Sequence, residues 1–561
     1  MAAMIQYLPN KETYMDTQRL ILFAVFSLSI FMLWDAWQRE HNPLPPLSPI
    51  STTQKNIEVP TPSLGGKGIT SNPTENAKLA QLEKGQRISV KTDVIDAEID
   101  LNGGDLRKYV LLKHGDSKDK TKPLVFLADE KPHFYVAQSG LIGEGLPSHK
   151  ALFSTAAKEY TLAKNADQLQ IRLSWKGENA VQVDKIFTFE RNSYLIKIAY
   201  EIKNNSPHSI IPEAYFQFLR DATPPEGDSR LLPTYTGPAV YTDEHKFQKH
   251  AFDKIGGDPA KDSIVDKSGW ISMLQHYFIA AYLPAGNTQH EFYFKKVGEN
   301  LYTTGVIVPV GEIAPNTAKD ISMGLYAGPQ DQETLKKLAP GLNLAIDYGW
   351  LTIVARPIFW LLSFLHKIFG NWGWSIIVLT ILIKLAFYPL SAASYRSMAK
   401  MKALAPRLQR LKEQYGEDRQ KLHQAMMDIY KTEKINPLGG CLPVVIQIPV
   451  FIALYWVLLY SVEMRHAPFA LWIQDLTAQD PFYVLPVLMG LSMLVQARLN
   501  PTPPDPIQAK IMMIMPIAFS IMFFWFPAGL VLYWVVNNTL SIAQQWRINA
   551  VMKNAPKKAK R

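Results

Sequence analysis

Residues 372–390 read WGWSIIVLTILIKLAFYPL, nineteen positions of which only Lys384 carries a charge. At about 1.5 Å of rise per residue a helix of this length covers roughly 28 Å, close to the hydrocarbon thickness of a bilayer. A lysine near the middle of such a span costs on the order of 2.5–3.5 kcal/mol, so it persists where it snorkels, finds a partner or lines a wet cavity. Snorkelling is the simplest of these: Lys384 lies six residues before Leu390, about 9 Å from that end, within reach of a lysine stem.

After Leu390 the character reverses. Residues 391–435 carry ten Lys/Arg against five Asp/Glu, which marks them as cytoplasmic. Within them Met398, Met401, Leu404, Leu408 and Leu411 form one stripe at three- and four-residue steps, and Leu422, Ala425, Met426 and Ile429 form a second. Tyr415-Gly416-Glu417-Asp418 between the stripes supplies a glycine stop and an acidic start, so an antiparallel helical hairpin is predicted despite Pro406. The methionine-bearing stripe reads either as plain hairpin core or as an adaptable surface that captures varied apolar client segments.

Upstream, residues 349–369 are apolar but broken by Arg356-Pro357 and His366-Lys367, which fits an interfacial amphipathic helix over 341–371. Downstream, further spans are expected at 441–462, 482–498, 511–526 and 529–546, the last two divided by Phe526-Pro527-Ala528-Gly529. The loop 463–481 has one Arg and three acids, and the tail 547–561 has six Lys/Arg and no acid. With the hairpin inside, every loop falls on its expected side and the C-terminus is cytoplasmic.

The N-terminal half reads differently. Residues 20–34, LILFAVFSLSIFMLW, with Arg19 before and Trp37 after and no small-residue cleavage site, predict an uncleaved signal anchor within residues 1–40, N-terminus inside. Met15, ahead of Asp16-Thr17-Gln18-Arg19, reads as a second candidate start. Seven of the 39 prolines fall in residues 41–73, so 41–80 is expected to be an extended tether. From 81 to 340 the period becomes two: Ala97-Glu98-Ile99-Asp100-Leu101 before the turn Asn102-Gly103-Gly104, Leu169-Gln170-Ile171-Arg172-Leu173, and Ile196, Ile198, Tyr200 and Ile202 alternating with charges. Many short strands without alternating helices predict a large antiparallel β-sandwich outside the cytosol.

Composition narrows the function classes. A hydrophobic fraction of 47% with 13 Trp and 26 Phe suits a chain that is partly in lipid, and the single Cys441, read as a small buried apolar residue, excludes an intramolecular disulfide and thiolate-cluster metal sites. The formal charge of +10 would suit nucleic acid, but the basic residues sit beside apolar runs, so membrane topology accounts for them and no DNA partner is expected. No phosphate loop follows a strand, and neither an HExxH nor a nucleophile elbow occurs; Gly65-Gly66-Lys67-Gly68 lies in the tether. Neither a cofactor nor catalysis is expected.

Three runs carry a resemblance: INPLGGCLPVVIQIPVFIALYWVL at 435–458, SVEMRHAPFALWIQDLTAQDPFYVLPVLMG at 461–490 and MPIAFSIMFFWFPAGLVLYWVVNN at 515–538. They closely resemble the YidC/Oxa/Alb family of membrane-protein insertases in its Gram-negative form, and the resemblance extends over the whole chain. It implies a β-supersandwich periplasmic domain and a five-helix core plus signal anchor in the bacterial inner membrane. It further implies a hydrophilic groove open to cytoplasm and lipid but closed toward the periplasm, with one arginine on the second span. The matching residue here is Lys384, which keeps the charge and loses the guanidinium fork. A tyrosine usual on the last span is matched by Trp534, beside Tyr533.

The residues also argue for a groove directly. Thr380 and Lys384 stand one turn apart with Tyr388 a turn further, Trp534, Asn537, Ser541 and Gln545 step by three and four, and Gln447 lies inside the third span. Singly, such groups knit helices together; jointly with a lysine they predict a wet cavity. Nascent membrane-protein clients and membrane lipids are the expected partners, with the Sec translocon and its accessory subunits and the translating ribosome as further ones. The alternative is a transporter or channel with Lys384 as substrate counter-ion, for which inverted repeats and paired broken helices would be needed.

Overall fold

The computed structural model describes residue 60 and residues 85–554, apart from 118, 131–132, 226–233, 258–260, 287, 416–417, 434–441 and 501–505. The anchor expected over 1–40, nearly all of the tether, Cys441 and residues 555–561 of the basic tail lie outside the described residues. The chain divides in sequence at Asp347 and Tyr348 into a β unit and a helical unit.

In the β unit a ten-stranded and a nine-stranded sheet form a sandwich. Pairing is antiparallel throughout except at one edge, where Arg87–Lys91 runs parallel to Glu159–Thr161. Strand Leu195–Asn204 of the smaller sheet shows how sequence sets the layers. Ile196, Ile198, Tyr200 and Ile202 are buried while Lys197 and Lys203 face solvent, and Ile198 pairs with Phe187 on one side and Met323 on the other. One core joins Ile99, Leu106, Phe216 and Phe218 of the larger sheet to Phe187, Ile198, Ile271 and Tyr282 of the smaller, with Phe218 and Tyr282 stacked at 4.4 Å between ring centroids. Each such side chain contributes about 1.5–3 kcal/mol by leaving water.

Two features of this sandwich are less ordinary. The turn expected at Asn102-Gly103-Gly104 is present, with φ +79° at Gly103 and +60° at Gly104. A Cβ on Gly103 would run into the backbone carbonyl of His149, so Gly103→Ala is expected to cost more than about 1 kcal/mol, read as a lowered melting transition of the β unit. Just beyond, Ile99 lies opposite Leu106 but Glu98 lies opposite Lys108, leaving Arg107 as the extra residue of a bulge that re-aims its side chain. Arg107 Nη2 stands 3.2 Å from Asp105 Oδ2, which also accepts from Gln138 Nε2 at 2.8 Å. From the other sheet the fully buried Lys185 donates to the Gly103 carbonyl at 2.9 Å. Burial pushes the Asp105 carboxyl up and the Lys185 amine down, each partly offset by the opposite charge of the other.

The last strand leads to α1 (Gln332–Leu338), capped by Asp331, and the helical unit follows. Its helices are α2 (Thr352–Phe369), α3 (Trp372–Ala386), α4 (Tyr388–Tyr415), α5 (Arg419–Thr432), α6 (Leu442–Tyr460), α7 (Val484–Leu499), α8 (Pro506–Met522) and α9 (Ala528–Asn554). Gly370, at φ 63°, ends α2, and the Asn371 side chain accepts from Trp374 N to start α3.

Helix α2 buries Ala355, Ile358, Phe359, Leu362 and Leu365 and exposes Ile353, Trp360, Phe364 and Ile368. By length and composition it is, among the described residues, the one single helix able to cross a membrane, whereas the sequence suggests an interfacial helix there. Helices α3 and α4 pass that test only as a pair, bent by 67°. The span expected over 372–390 therefore stops at Ala386. Pro389 has no N–H to give the Leu385 carbonyl and its ring crowds that turn, so the chain breaks at Phe387 and residues 388–390 open the next helix. The other apolar helices shift against the expected runs: α7 starts after the left-handed Tyr483, α8 begins before the expected 511 and ends in a 3-10 turn, Phe523–Trp525, ahead of Pro527, and α9 runs past the expected 546 to Asn554.

Candidate functional site: the polar cluster at Lys384

Three polar positions of α9, Asn537, Ser541 and Gln545, recur at i and i+4 and so fall on one face, and each is buried. Lys384, near the C-terminal end of α3, is 8% exposed and donates from Nζ to Ser541 Oγ at 2.7 Å. Ser541 Oγ in turn donates a hydrogen bond to the Asn537 carbonyl at 2.8 Å, and the Tyr395 hydroxyl of α4 reaches the same Ser541. Gln447 of α6 donates to Asn537 Oδ1 at 2.8 Å. Lys384, Ser541, Asn537 and Gln447 thus form one connected line across α3, α9 and α6. Among the described residues no carboxylate stands within ion-pair distance of Lys384.

The remaining expected residues divide. Gln545 is buried and donates to Asn500 Oδ1 at 3.0 Å, at the end of α7. Thr380 is fully buried, but its hydroxyl is spent on its own helix, at the Ile376 carbonyl. Tyr388 does not join the cluster: it opens α4 at the bend and is 42% exposed. Tyr533 is buried and stacks on Phe451, while Trp534 sits edge-on to Phe451 at 4.9 Å and to Phe523 at 5.9 Å. The buried Trp534 Nε1 finds no acceptor among the described residues.

Sequence reasoning missed Tyr395, Asn500 and the pair Asn538–Ser492, whose side chains meet at 3.1 Å between α9 and α7. The signal was available for two of them, since Asn538 and Ser492 each interrupt an apolar run, and a polar group in a span needs a partner. These bonds tie α9 to α3, α4, α6 and α7.

In the hairpin, α4 runs through Pro406 and α5 begins after Asp418, whose side chain caps Lys421 N. Arg407 Nη1 reaches Glu433 Oε1 at 3.3 Å across the two helices. Leu408 is buried; Met401, Leu404, Leu411, Leu422 and Met426 are half-buried. Met398 packs instead on Ala392, Tyr395 and Ile548, joining the base of α4 to α9.

A family model described as the YidC periplasmic domain matches residues 87–361, and one described as 60Kd inner membrane protein matches residues 364–556. The chain is 55% identical over 553 residues to the membrane protein insertase YidC of Methylobacillus flagellatus, covering 97% of this chain and 99% of that one. It is 52% identical over 548 residues to that of Aromatoleum aromaticum, covering 97% and 100%. Among solved structures, the crystal structure of an active YidC insertase with its first transmembrane domain resolved is similar at 18% identity and a TM-score of 0.39, over 82% of this chain and 92% of that one.

Proposed function

The chain belongs to the YidC family of membrane protein insertases, and from that premise we propose that it inserts newly made inner-membrane proteins through a hydrophilic groove at Lys384. In this reading the β unit is periplasmic, and the α4–α5 hairpin and the C-terminus are cytoplasmic. The groove opens to the cytoplasm and to lipid. The hairpin catches an emerging apolar segment, the region around Lys384 receives its polar or acidic flank, and the segment leaves sideways into lipid. Partition of the client's own apolar surface, at about 25 cal/mol per Å², drives the last step, so no nucleotide is required.

The observation that carries this reading is a buried lysine with no carboxylate partner among the described residues, held by a serine on a polar helix face. An ammonium so placed has attraction to spare for a visiting acidic group. The basic hairpin supports contact with ribosomal RNA, and the Sec translocon with its accessory subunits is the further partner in this reading.

A pair of truncations tests the assignment. Removing most of residues 75–320 is expected to leave insertion of a reporter protein intact in depleted cells, while removing 341–561 abolishes it. The opposite result would place the function in the sandwich.

A second expectation concerns the hairpin. Deleting 405–425 is expected to impair client capture, measured by crosslinking, without unfolding the core, because the described contact of α4 with α9 lies N-terminal to the cut, at Ala392, Tyr395 and Met398. Loss of a folded core in detergent would contradict it.

A further inference from the structure

At the end of the helical unit away from the hairpin, the loop joining α6 to α7 is built around one carboxylate. Asp480 is 1% exposed and accepts from Trp472 Nε1 at 2.9 Å, Phe482 N at 3.0 Å and Leu485 N at 2.7 Å. A single charge thereby holds two tips, 471–472 and 482–483, at the start of α7. The first tip is a closed turn: Phe469 N donates to the Ile473 carbonyl at 2.9 Å, Ile473 N to the Ala470 carbonyl at 3.1 Å and Gln474 Nε2 to the Leu471 carbonyl at 2.9 Å.

What these bonds present is unexpected for a loop in water. Leu471, at the apex, has φ +53° and is 80% exposed. Phe482 is 69% exposed, and Tyr483 beside it has φ +57° and is 46% exposed. The left-handed region is unfavourable for a residue with a Cβ, and a bare leucine or phenylalanine side chain in water is unfavourable again. Both costs fall on the same tips, and an apolar medium around them would remove the second.

The neighbours extend the pattern. Trp374, at the start of α3, is 51% exposed and edge-on to Phe469 at 5.6 Å. Trp525 is 53% exposed in the turn between α8 and α9, which is tied to the same loop by Ala528 N donating to the Ala478 carbonyl at 2.7 Å. Phe524 in that turn meets Tyr483 at 5.2 Å. Tryptophan and tyrosine rings favour the boundary between headgroups and acyl chains, whereas leucine and phenylalanine favour the chains themselves.

We propose that this layer is a lipid-binding face. Leu471 and Phe482 enter the acyl boundary of the leaflet on the side away from the hairpin, with Trp374, Trp525 and Tyr483 at headgroup level. The loop then fixes how deep the helical unit sits, independently of any client.

The test uses the full chain with Cys441→Ala, reconstituted in phosphatidylcholine vesicles, and a single environment-sensitive fluorophore attached through Leu471→Cys or Gln479→Cys. Gln479 is exposed in the same loop but at neither tip. Lipids brominated near the top of their acyl chains are expected to quench the probe at 471 several-fold more than the probe at 479, with bluer emission at 471. Equal quenching at the two sites, or water-like emission at 471, would overturn the proposal.

Discussion

Asp105→Asn is expected to destabilise the β-sandwich by about 3–5 kcal/mol, because it leaves two buried cations without their one counter-charge. Arg107 and Asp105 are almost wholly inaccessible, Lys185 is 1% exposed, and the described carboxylate that serves both cations is Asp105. The contrast that isolates charge balance from packing is Lys185→Met. That change removes one cation, keeps most of the side-chain volume between Phe187 and Tyr200, and leaves Arg107 and Asp105 balanced, so it is expected to cost much less than the asparagine variant. Calorimetry of the β transition in the full chain reads both; equal losses would show that shape, and not charge, dominates. The lysine has a pH signature as well. Burial lowers it from 10.5 to about 8, so between those values the unfolded chain holds the extra proton and the sandwich gains stability as pH rises. Lys185→Met removes that slope.

How much of this was legible beforehand depends on which forces act. The strands around Ile171 and Ile198 were readable because one face is buried and one wet, and a period of two records that directly. The turn at Gly103 was readable because a left-handed backbone selects glycine. The Asp105, Arg107 and Lys185 cluster was not, since nothing local to Lys185 announces that an acid 80 residues away will share its burial. In the helical unit, periodicity picked out Lys384, Ser541 and Asn537, and Gln447 stood out as a polar group inside an apolar run; the fold joins these four, but periodicity also picked Tyr388, because a 3.6-residue period assumes that the helix continues. Pro389 ends that assumption two residues after Phe387, and Tyr388 turns away with α4. The proline was visible in the sequence; the size of the bend was not.

The same bend brings α4 back beside α9, so that Tyr395 and Lys384 meet on one serine, and this shapes what is expected of Lys384 itself. If its task is to attract the acidic flank of a client, Lys384→Arg retains insertion, because a single positive charge at that place suffices for a Coulombic pull. Lys384→Glu blocks clients with acidic tails, since like charges in a poorly screened groove repel several times more strongly than in water. Lys384→Ala falls between the two, and its deficit grows with the number of Asp and Glu residues in the translocated tail. A lysine that merely snorkels predicts the reverse for alanine, which would then be harmless or slightly stabilising because an insertion cost of about 2.5–3.5 kcal/mol has gone. The hydrogen bond to Ser541 separates these outcomes further. Ser541→Ala removes a neutral acceptor and leaves the charge, so it is expected to weaken insertion modestly and without regard to tail charge. Insertion yield across a client series differing only in tail charge, compared among wild type, Lys384→Ala and Ser541→Ala, decides the matter. A deficit in Lys384→Ala that does not change along that series would remove the electrostatic step and leave the lysine as a helix-packing residue.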